Sequence, residues 1–385
     1  MTGSVNITVR NRVIIVLLFI IVFFSCRKDD ESGIIQPVAH TVLVYMVADN
    51  SLYKYATKNI EDMSAVWNKN YKGKMIVFLD PPEFDNPRLI EIDENYMDIN
   101  SNVVKHYENL NSLDKVNMRN IISDVIRLFP AQRYTLILWS HATGWLPKGA
   151  SLSYTKNLQA TIELKSFGKD GVEEMDIVDL SDAVPNNVFN TIIFDACFMG
   201  GIEVLCEFIN KSDYIIASPT EILAQGFPYQ KITPLLFSHS DEPELWAETF
   251  FEHYNSQEGA YKSATVGVVK TSELNNLLYV LKNFQIDENS INMTDIQCYD
   301  RTTNGMFFDF NDYVRQMCTN ENDFQQYLEQ YNKTVIYSNY TKSFVDVFDI
   351  NSCSGLNCFI PSNNFHEDLI SHYQQTNFYK IVLKK

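Results

Sequence analysis

Apolar and polar positions alternate between two periods along the first two thirds of the chain. "HTVLVYMVAD" (40–49) carries an uninterrupted apolar run from Val42 to Ala48 that ends in an acid, the pattern of a strand buried on both faces. Behind it, "SLYKYATKNIEDMSAVW" (51–67) places Leu52, Tyr55, Ala56, Ile60, Met63 and Trp67 at helical spacing, with Ser51 as the expected cap. "KMIVFLD" (74–80) predicts a second strand and "RLIEID" (88–93) a hairpin addition to it. "VNMRNIISDVIRLFP" (116–130) predicts a helix stopped by Pro130, followed by strands at "YTLILWS" (134–140), "NTIIFDA" (190–196) and "DYIIAS" (213–218). Continuous apolar strands separated by helices predict an α/β fold, a mostly parallel sheet with helices on both faces. Ligands in such sheets bind outside the carboxyl ends of the strands. That rule selects Asp49 and Asn50, Asp80, His141, Asp195 to Cys197, and Ser218 to Glu221.

Other stretches break the alternation. Residues 143–178 lack a sustained period and carry five glycines or prolines, so they are expected to form a long exposed loop. The last hundred residues mix helical patterns at 306–317 and 323–336 with a late strand at "GLNCFIP" (355–361). The resulting division is a targeting segment at 1–25, a tether at 26–39, a catalytic domain at 40–290 and a C-terminal extension at 291–385 packed on it.

The N-terminus changes the setting. Arg10 and Arg12 precede a twelve-residue apolar run, Val13 to Phe24, too short for the roughly 20 residues that span a bilayer. Ser25 and Cys26 follow, and "FFSC" resembles the lipobox of bacterial lipoproteins although it lacks the leading leucine. Cys26 is then the lipid-bearing first residue. The charged "RKDDESG" beyond it reads as a flexible tether, and its acidic part resembles the export signal of surface lipoproteins of Bacteroidetes-type bacteria. These features imply a lipid anchor in the bacterial cell envelope, at the outer-membrane surface. A formal charge of −17, which becomes −19 once the two arginines before Ser25 are removed, excludes nucleic acid as a partner, because no basic stripe offsets it.

Six cysteines remain. "CSGLNC" (Cys353, Cys358) is the most local pair that an exported protein could join, whereas Cys206, Cys298 and Cys318 are expected as buried free thiols. No histidine pair accompanies them, so their spacing supports no metal site.

The chemistry concentrates on two residues. His141 follows the strand "YTLILWS", and Cys197 follows "NTIIFDA" 56 residues later. On neighbouring strands the two side chains would emerge at one edge, as nucleophilic catalysis by a thiolate with an imidazole partner requires. The helix start after Cys197 is expected to lower the thiol pKa. "HATGW" lets backbone approach a substrate carbonyl, and "CFMGG" makes a tight strand-to-helix turn. The strand-end "DNS" at 49–51 is expected to form a turn and a helix cap.

Four blocks in matching order, "VYMVADNSL" (44–52), "LILWSHATGW" (136–145), "IIFDACFMGGIEV" (192–204) and "DYIIASPTEILAQGFPY" (213–229), resemble the clostripain family of caspase-like cysteine peptidases. The resemblance implies a caspase-like fold and a dyad with His141 as general acid/base and Cys197 as nucleophile. Ala142, where the family usually has glycine, would supply an oxyanion N–H. Asp195 would line the pocket for an Arg or Lys before the scissile bond, unless it caps the following helix. Glu221 is the nearest second pocket acid. Self-cleavage after Lys148, Lys156, Lys165 or Lys169 is implied as well, and a calcium requirement stays open, with no ligands named. The expected partner is a protein or peptide substrate. Rival readings are a non-catalytic surface lipoprotein that binds peptide or glycan, and a hydrolase acting on a non-peptide acyl group.

Overall fold

In the computed structural model, residues 36–384 are described apart from 83–85, 109, 150–165, 172, 239–240, 285–290 and 302–304. Cys26, Lys156 and Lys165 lie outside the described residues, as does the whole targeting segment. The described residues from Pro37 onward belong to one compact unit. Among the described residues, no helix is long and apolar enough to cross a membrane.

Nine strands form the central sheet: β1 (Val38–Val47), β2 (Gly73–Asp80), β3 (Arg88–Ile92), β4 (Val103–His106), β5 (Ala131–Trp139), β8 (Phe189–Asp195), β9 (Ser212–Ala217), β10 (Thr265–Lys270) and β12 (Val335–Tyr340). The small pairs β6 (Phe167–Asp170) with β7 (Glu173–Met175), and β11 (Phe308–Asp309) with Asn357–Cys358, lie outside it. The order across the sheet is β12-β10-β9-β8-β5-β1-β2-β3-β4. The five central strands β9, β8, β5, β1 and β2 are parallel, and antiparallel pairs flank them on both sides.

The apolar runs explain this arrangement. In β1, Leu43, Tyr45 and Val47 enter one core while Val42, Val44 and Met46 enter another, and β5 divides Leu136 and Leu138 from Ile137 and Trp139 in the same way. A strand with both faces apolar needs a cover on each side. Helices Lys115–Leu128, Ile202–Glu207 and Leu274–Lys282, together with much of the C-terminal segment, supply one layer. Helices Tyr53–Ala65, Tyr229–Leu236 and Pro243–Asn255 supply the other. The chain steps from β1 to β2 on one side and returns through β5 on the other, so its direction reverses between β1 and β5. The crevice at the carboxyl ends of those two strands is where such a sheet binds ligands.

Several expectations need correction. The exposed loop expected over 143–178 is overturned in its described part: Trp145, Leu146, Phe167 and Met175 are buried, and β6, β7 and the start of helix Ile177–Ala183 fall within it, because apolar residues at 167, 175, 177 and 180 pack under the sheet. Ser51 caps no helix. Leu52 holds the cap position, and the Asn50 side chain accepts the Leu52 N–H at 2.9 Å. Cys353 and Cys358 are both free thiols, like Cys206, Cys298 and Cys318. The strand anticipated at 355–361 shrinks to Asn357–Cys358. Strands β10 and β12 extend the sheet beyond β9, so the last hundred residues contribute to it directly.

Candidate active site

Parallel pairing of β5 with β8 sets Trp139 opposite Asp195. His141 and Cys197 each stand two residues past that pair, on the same edge. Both line one cavity of about 110 Å³, together with Ser140, Asp195, Ile222 and Gly226. The shared edge follows from strand register alone, since side chains at equal offsets from a paired position emerge side by side.

His141 is held at its backbone and at its ring. Its carbonyl accepts the Gly168 N–H at 2.8 Å, and its Nε2 lies 3.0 Å from the Ser51 hydroxyl. Ser140, next to it, donates its hydroxyl to the Val47 carbonyl at 2.9 Å, tying the end of β5 to the end of β1.

Cys197 is half-buried in the turn that follows β8. The Ile222 N–H donates to Sγ at 3.3 Å, and the thiol reaches the Ile222 carbonyl at 3.7 Å. Burial first, and then the charge of Glu221, push the thiol up to about 12, with the Ile222 N–H working the other way. This reverses the expected lowering. The next helix, Ile202–Glu207, has Gly201 at its cap, so its amino end lies beyond the single turn over which a helix dipole acts. A thiol that is neutral at rest needs a base before it can act as a nucleophile.

The turn itself departs from the glycine-based expectation. Phe198 adopts φ +59°, a left-handed conformation that L-residues with a Cβ rarely take. Its N–H donates to Thr220 O at 2.8 Å, and its ring stacks on Phe307 at 4.2 Å between centroids. Gly200 and Gly201 are needed for close approach: a Cβ would stand 2.8 Å from the Pro219 nitrogen at Gly200 and 2.9 Å from Asn357 Oδ1 at Gly201. Gly144 of "HATGW" approaches the same turn and not a substrate space, because a Cβ there would sit 2.8 Å from the Phe198 carbonyl oxygen. The C-terminal segment closes the cage. The Asn357 N–H donates to Gly200 O at 2.9 Å, its side-chain amide donates to Pro219 O at 2.8 Å, and the Phe359 N–H donates to Glu203 at 2.9 Å.

Asp195 is 4% exposed and lies on the cavity wall. Its Oδ2 accepts the Phe227 N–H at 3.0 Å and the Tyr229 hydroxyl at 2.9 Å, so it fixes the 224–229 segment and does not cap the next helix. Burial pushes its carboxyl up to about 6. Gly226, at φ +69°, lets that segment close over the acid, since a Cβ would come within 2.6 Å of Oδ2. Glu221 stands near the thiol but off the cavity wall. Its two oxygens receive Arg301 Nη2 at 2.6 and 2.7 Å, and it is not among the residues lining the cavity. Ala142 is buried and is likewise not among the residues lining the cavity. Of the lysines between histidine and cysteine, Lys148 is exposed, with its N–H on Asp176, and Lys169 is half-buried in β6.

Near the end of β1, Asp80 accepts the Ser112 hydroxyl, and burial pushes its carboxyl up to about 8, while the Ser112 N–H donates to Asp170 at 3.3 Å. Among the described residues, no three His, Cys, Asp or Glu side chains are grouped to hold a metal ion.

Sequence reasoning reached His141, Cys197 and Asp195 through strand ends and passed over Ser51, Ile222, Arg301, Phe307 and Asn357. Only Ser51 had a local signal, its place after a parallel strand that points into the crevice. The others act across 25 to 160 residues of chain, and nothing in their own neighbourhood marks them.

The profile of the clostripain family matches residues 44–384. Among solved structures, an inactive zymogen C11 protease from Parabacteroides distasonis is similar at 29% identity and a TM-score of 0.78, over 91% of this chain and 99% of that one. A secreted C11 cysteine protease from Bacteroides thetaiotaomicron, in complex with an irreversible peptide inhibitor, is similar at 26% identity and a TM-score of 0.74, over 89% and 98%. A further structure of a secreted C11 cysteine protease from that organism gives 25% and 0.77, over 90% and 99%. Curated proteins gave no significant match.

Proposed function

The chain belongs to the clostripain family and is a cysteine peptidase, and from that premise we propose that it is an endopeptidase in which His141 and Cys197 form the dyad and cleavage follows Arg or Lys. One observation carries the reading: imidazole and thiol leave adjoining parallel strands at equal register and line one cavity with a buried carboxylate.

In the proposed cycle, Cys197 Sγ attacks the scissile carbonyl carbon while its proton passes to His141. A thiol held near 12 is a poor nucleophile until that transfer occurs, so His141 acts as general base in the attack and as general acid when the amine leaves. The oxyanion of the tetrahedral adduct takes the Ala142 N–H; the Phe198 N–H is committed to Thr220 O. Collapse expels the amine with the proton from His141 and leaves a thioester. Water, deprotonated by His141, then releases the acid and restores the thiol.

The basic preference rests on Asp195, which offers an ionised oxygen to a guanidinium or ammonium above about pH 6. Glu221 joins only where a substrate cation displaces Arg301. The proposal extends to self-cleavage after a lysine between the dyad residues, the exposed Lys148 among them, and to a lipid anchor at Cys26 in the cell envelope.

The test is incubation of the wild type and Cys197→Ala with a mixed peptide library, with cleavage sites read by mass. Cuts after Arg and Lys that vanish in the variant are expected. Cuts persisting in Cys197→Ala would reject the nucleophile, and cuts after other residues would reject the pocket assignment.

A further inference from the structure

We propose that Ser51 is a positioning residue of the dyad: its hydroxyl holds His141 Nε2, fixes the ring tautomer, and assigns proton exchange with Cys197 to Nδ1. The inference rests on the proposed role of His141 and adds a third residue to it.

The observation is the 3.0 Å separation of Ser51 Oγ and His141 Nε2. An exposed serine beside a histidine is by itself a weak signal, because surface rotamers move freely. Here both backbones are pinned, and to the same two strands. On the serine side, the Asn50 amide donates to Val47 O at 3.0 Å and to Lys169 O at 2.8 Å, while its Oδ1 accepts the Leu52 N–H at 2.9 Å. Three bonds thus fix the turn that carries Ser51. On the histidine side, Ser140 Oγ donates to the same Val47 carbonyl, and the Gly168 N–H donates to His141 O. Lys169 and Gly168 are neighbours in β6, so one short strand holds both partners. The Ser51 hydroxyl is left for the imidazole, because the helix that follows takes no side-chain cap from it.

A serine suits this position chemically. Its oxygen accepts the Nε2–H in both the neutral tautomer that acts as base and the imidazolium formed once the thiol proton arrives. Unlike the buried carboxylate of a Ser-His-Asp triad, it adds no charge, so it orients the ring without making it strongly basic. A ring that must first accept a proton and then surrender it to the amine needs a basicity near working pH. The other ionisable groups around the ring are Cys197 and Asp195 in the same cavity, Glu221 with Arg301 beside Cys197, and Asp49 and Asp170 behind the Ser51 turn. Changing Ser51 alters none of them, so a shift in the acid limb of activity reports on His141.

The experiment compares the wild type, Ser51→Ala, Ser51→Thr and His141→Ala on one peptide substrate across pH, with melting curves for each. Ser51→Ala is expected to lower kcat by about tenfold with KM unchanged, and to move the acid limb of kcat/KM, where His141 must give up its proton to act as base, down by about half a pH unit. Ser51→Thr, which keeps the hydroxyl, is expected to recover most of both. A Ser51→Ala enzyme with wild-type kcat and an unmoved limb overturns the proposal, and so does a Ser51→Thr enzyme as impaired as Ser51→Ala at equal stability. Wild-type turnover by His141→Ala would reject the dyad itself, and the role of Ser51 with it.

Discussion

Replacing Gly144 by alanine tests whether the cage around Cys197 sets the reaction rate. Gly144 has φ +63°, and an added Cβ would stand 2.8 Å from the Phe198 carbonyl oxygen. Two costs follow. The left-handed conformation costs an L-residue about 1–2 kcal/mol, whatever its surroundings. The contact adds about 1 kcal/mol more and is relieved only by moving the Phe198 carbonyl by a few tenths of an ångström. That carbonyl is one residue from Cys197, the proposed nucleophile. If a misplacement of ~1 Å costs about a hundredfold in rate, a few tenths cost about three- to tenfold. Gly171 provides the control: it has φ +58°, and nothing lies within 4 Å of its added Cβ. Gly171→Ala therefore carries the strain without the displacement. Initial rates on a fluorogenic peptide, normalised by active-site titration, and denaturant midpoints separate the two effects. Both variants should lose stability, and only Gly144→Ala should lose kcat. Equal kcat in the two variants would refute the coupling of this turn to the rate.

Three further outcomes follow from the electrostatics. Arg301→Gln should slow iodoacetamide alkylation of Cys197 by about two- to threefold at fixed pH, and Glu221→Gln should speed it, because the two charges act oppositely on the thiol and their ion pair is partly solvated; a change of the same sign in both would contradict this. Turnover of an Arg substrate should fall as pH drops through about 6, where Asp195 takes up its proton, and Asp195→Asn should turn that substrate over weakly at every pH. Glu203 is fully buried, its Oε2 has no hydrogen-bond partner among the described residues, and burial pushes its carboxyl up to about 8. The folded state then holds a proton that the unfolded state releases near the ordinary glutamate value, so stability falls as pH rises from there through about 8, by up to about 1.4 kcal/mol per unit. Urea midpoints of Glu203→Gln should exceed those of the wild type at pH 8 and match them near pH 5; a wild-type midpoint independent of pH across that window would exclude the buried proton.

The parts of this molecule legible in its sequence are those fixed by short-range pattern. "VLVYMV", "MIVFL", "LILW" and "IIF" are apolar at every position because both faces of β1, β2, β5 and β8 are covered, and their carboxyl ends carry Asp49, Asp80, His141 and Cys197. What stayed hidden depends on distant chain. Phe198 is held in its strained conformation partly by Phe307, and the glycines after it by Ser218, Pro219 and Asn357. The thiol is raised and not lowered because the 221–223 segment folds over it. The hairpin at 167–175 was masked by its glycines, although Phe167 and Met175 are both buried.

The most direct test of the account is the site of covalent capture by a thiol-directed peptide that ends in arginine, located by mass in digests of the wild type and His141→Ala. The account predicts one adduct, on Cys197, that forms quickly in the wild type and at least tenfold more slowly without the histidine. An adduct shared among Cys298, Cys318 and Cys353, or capture at Cys197 with the same rate in both proteins, would contradict it.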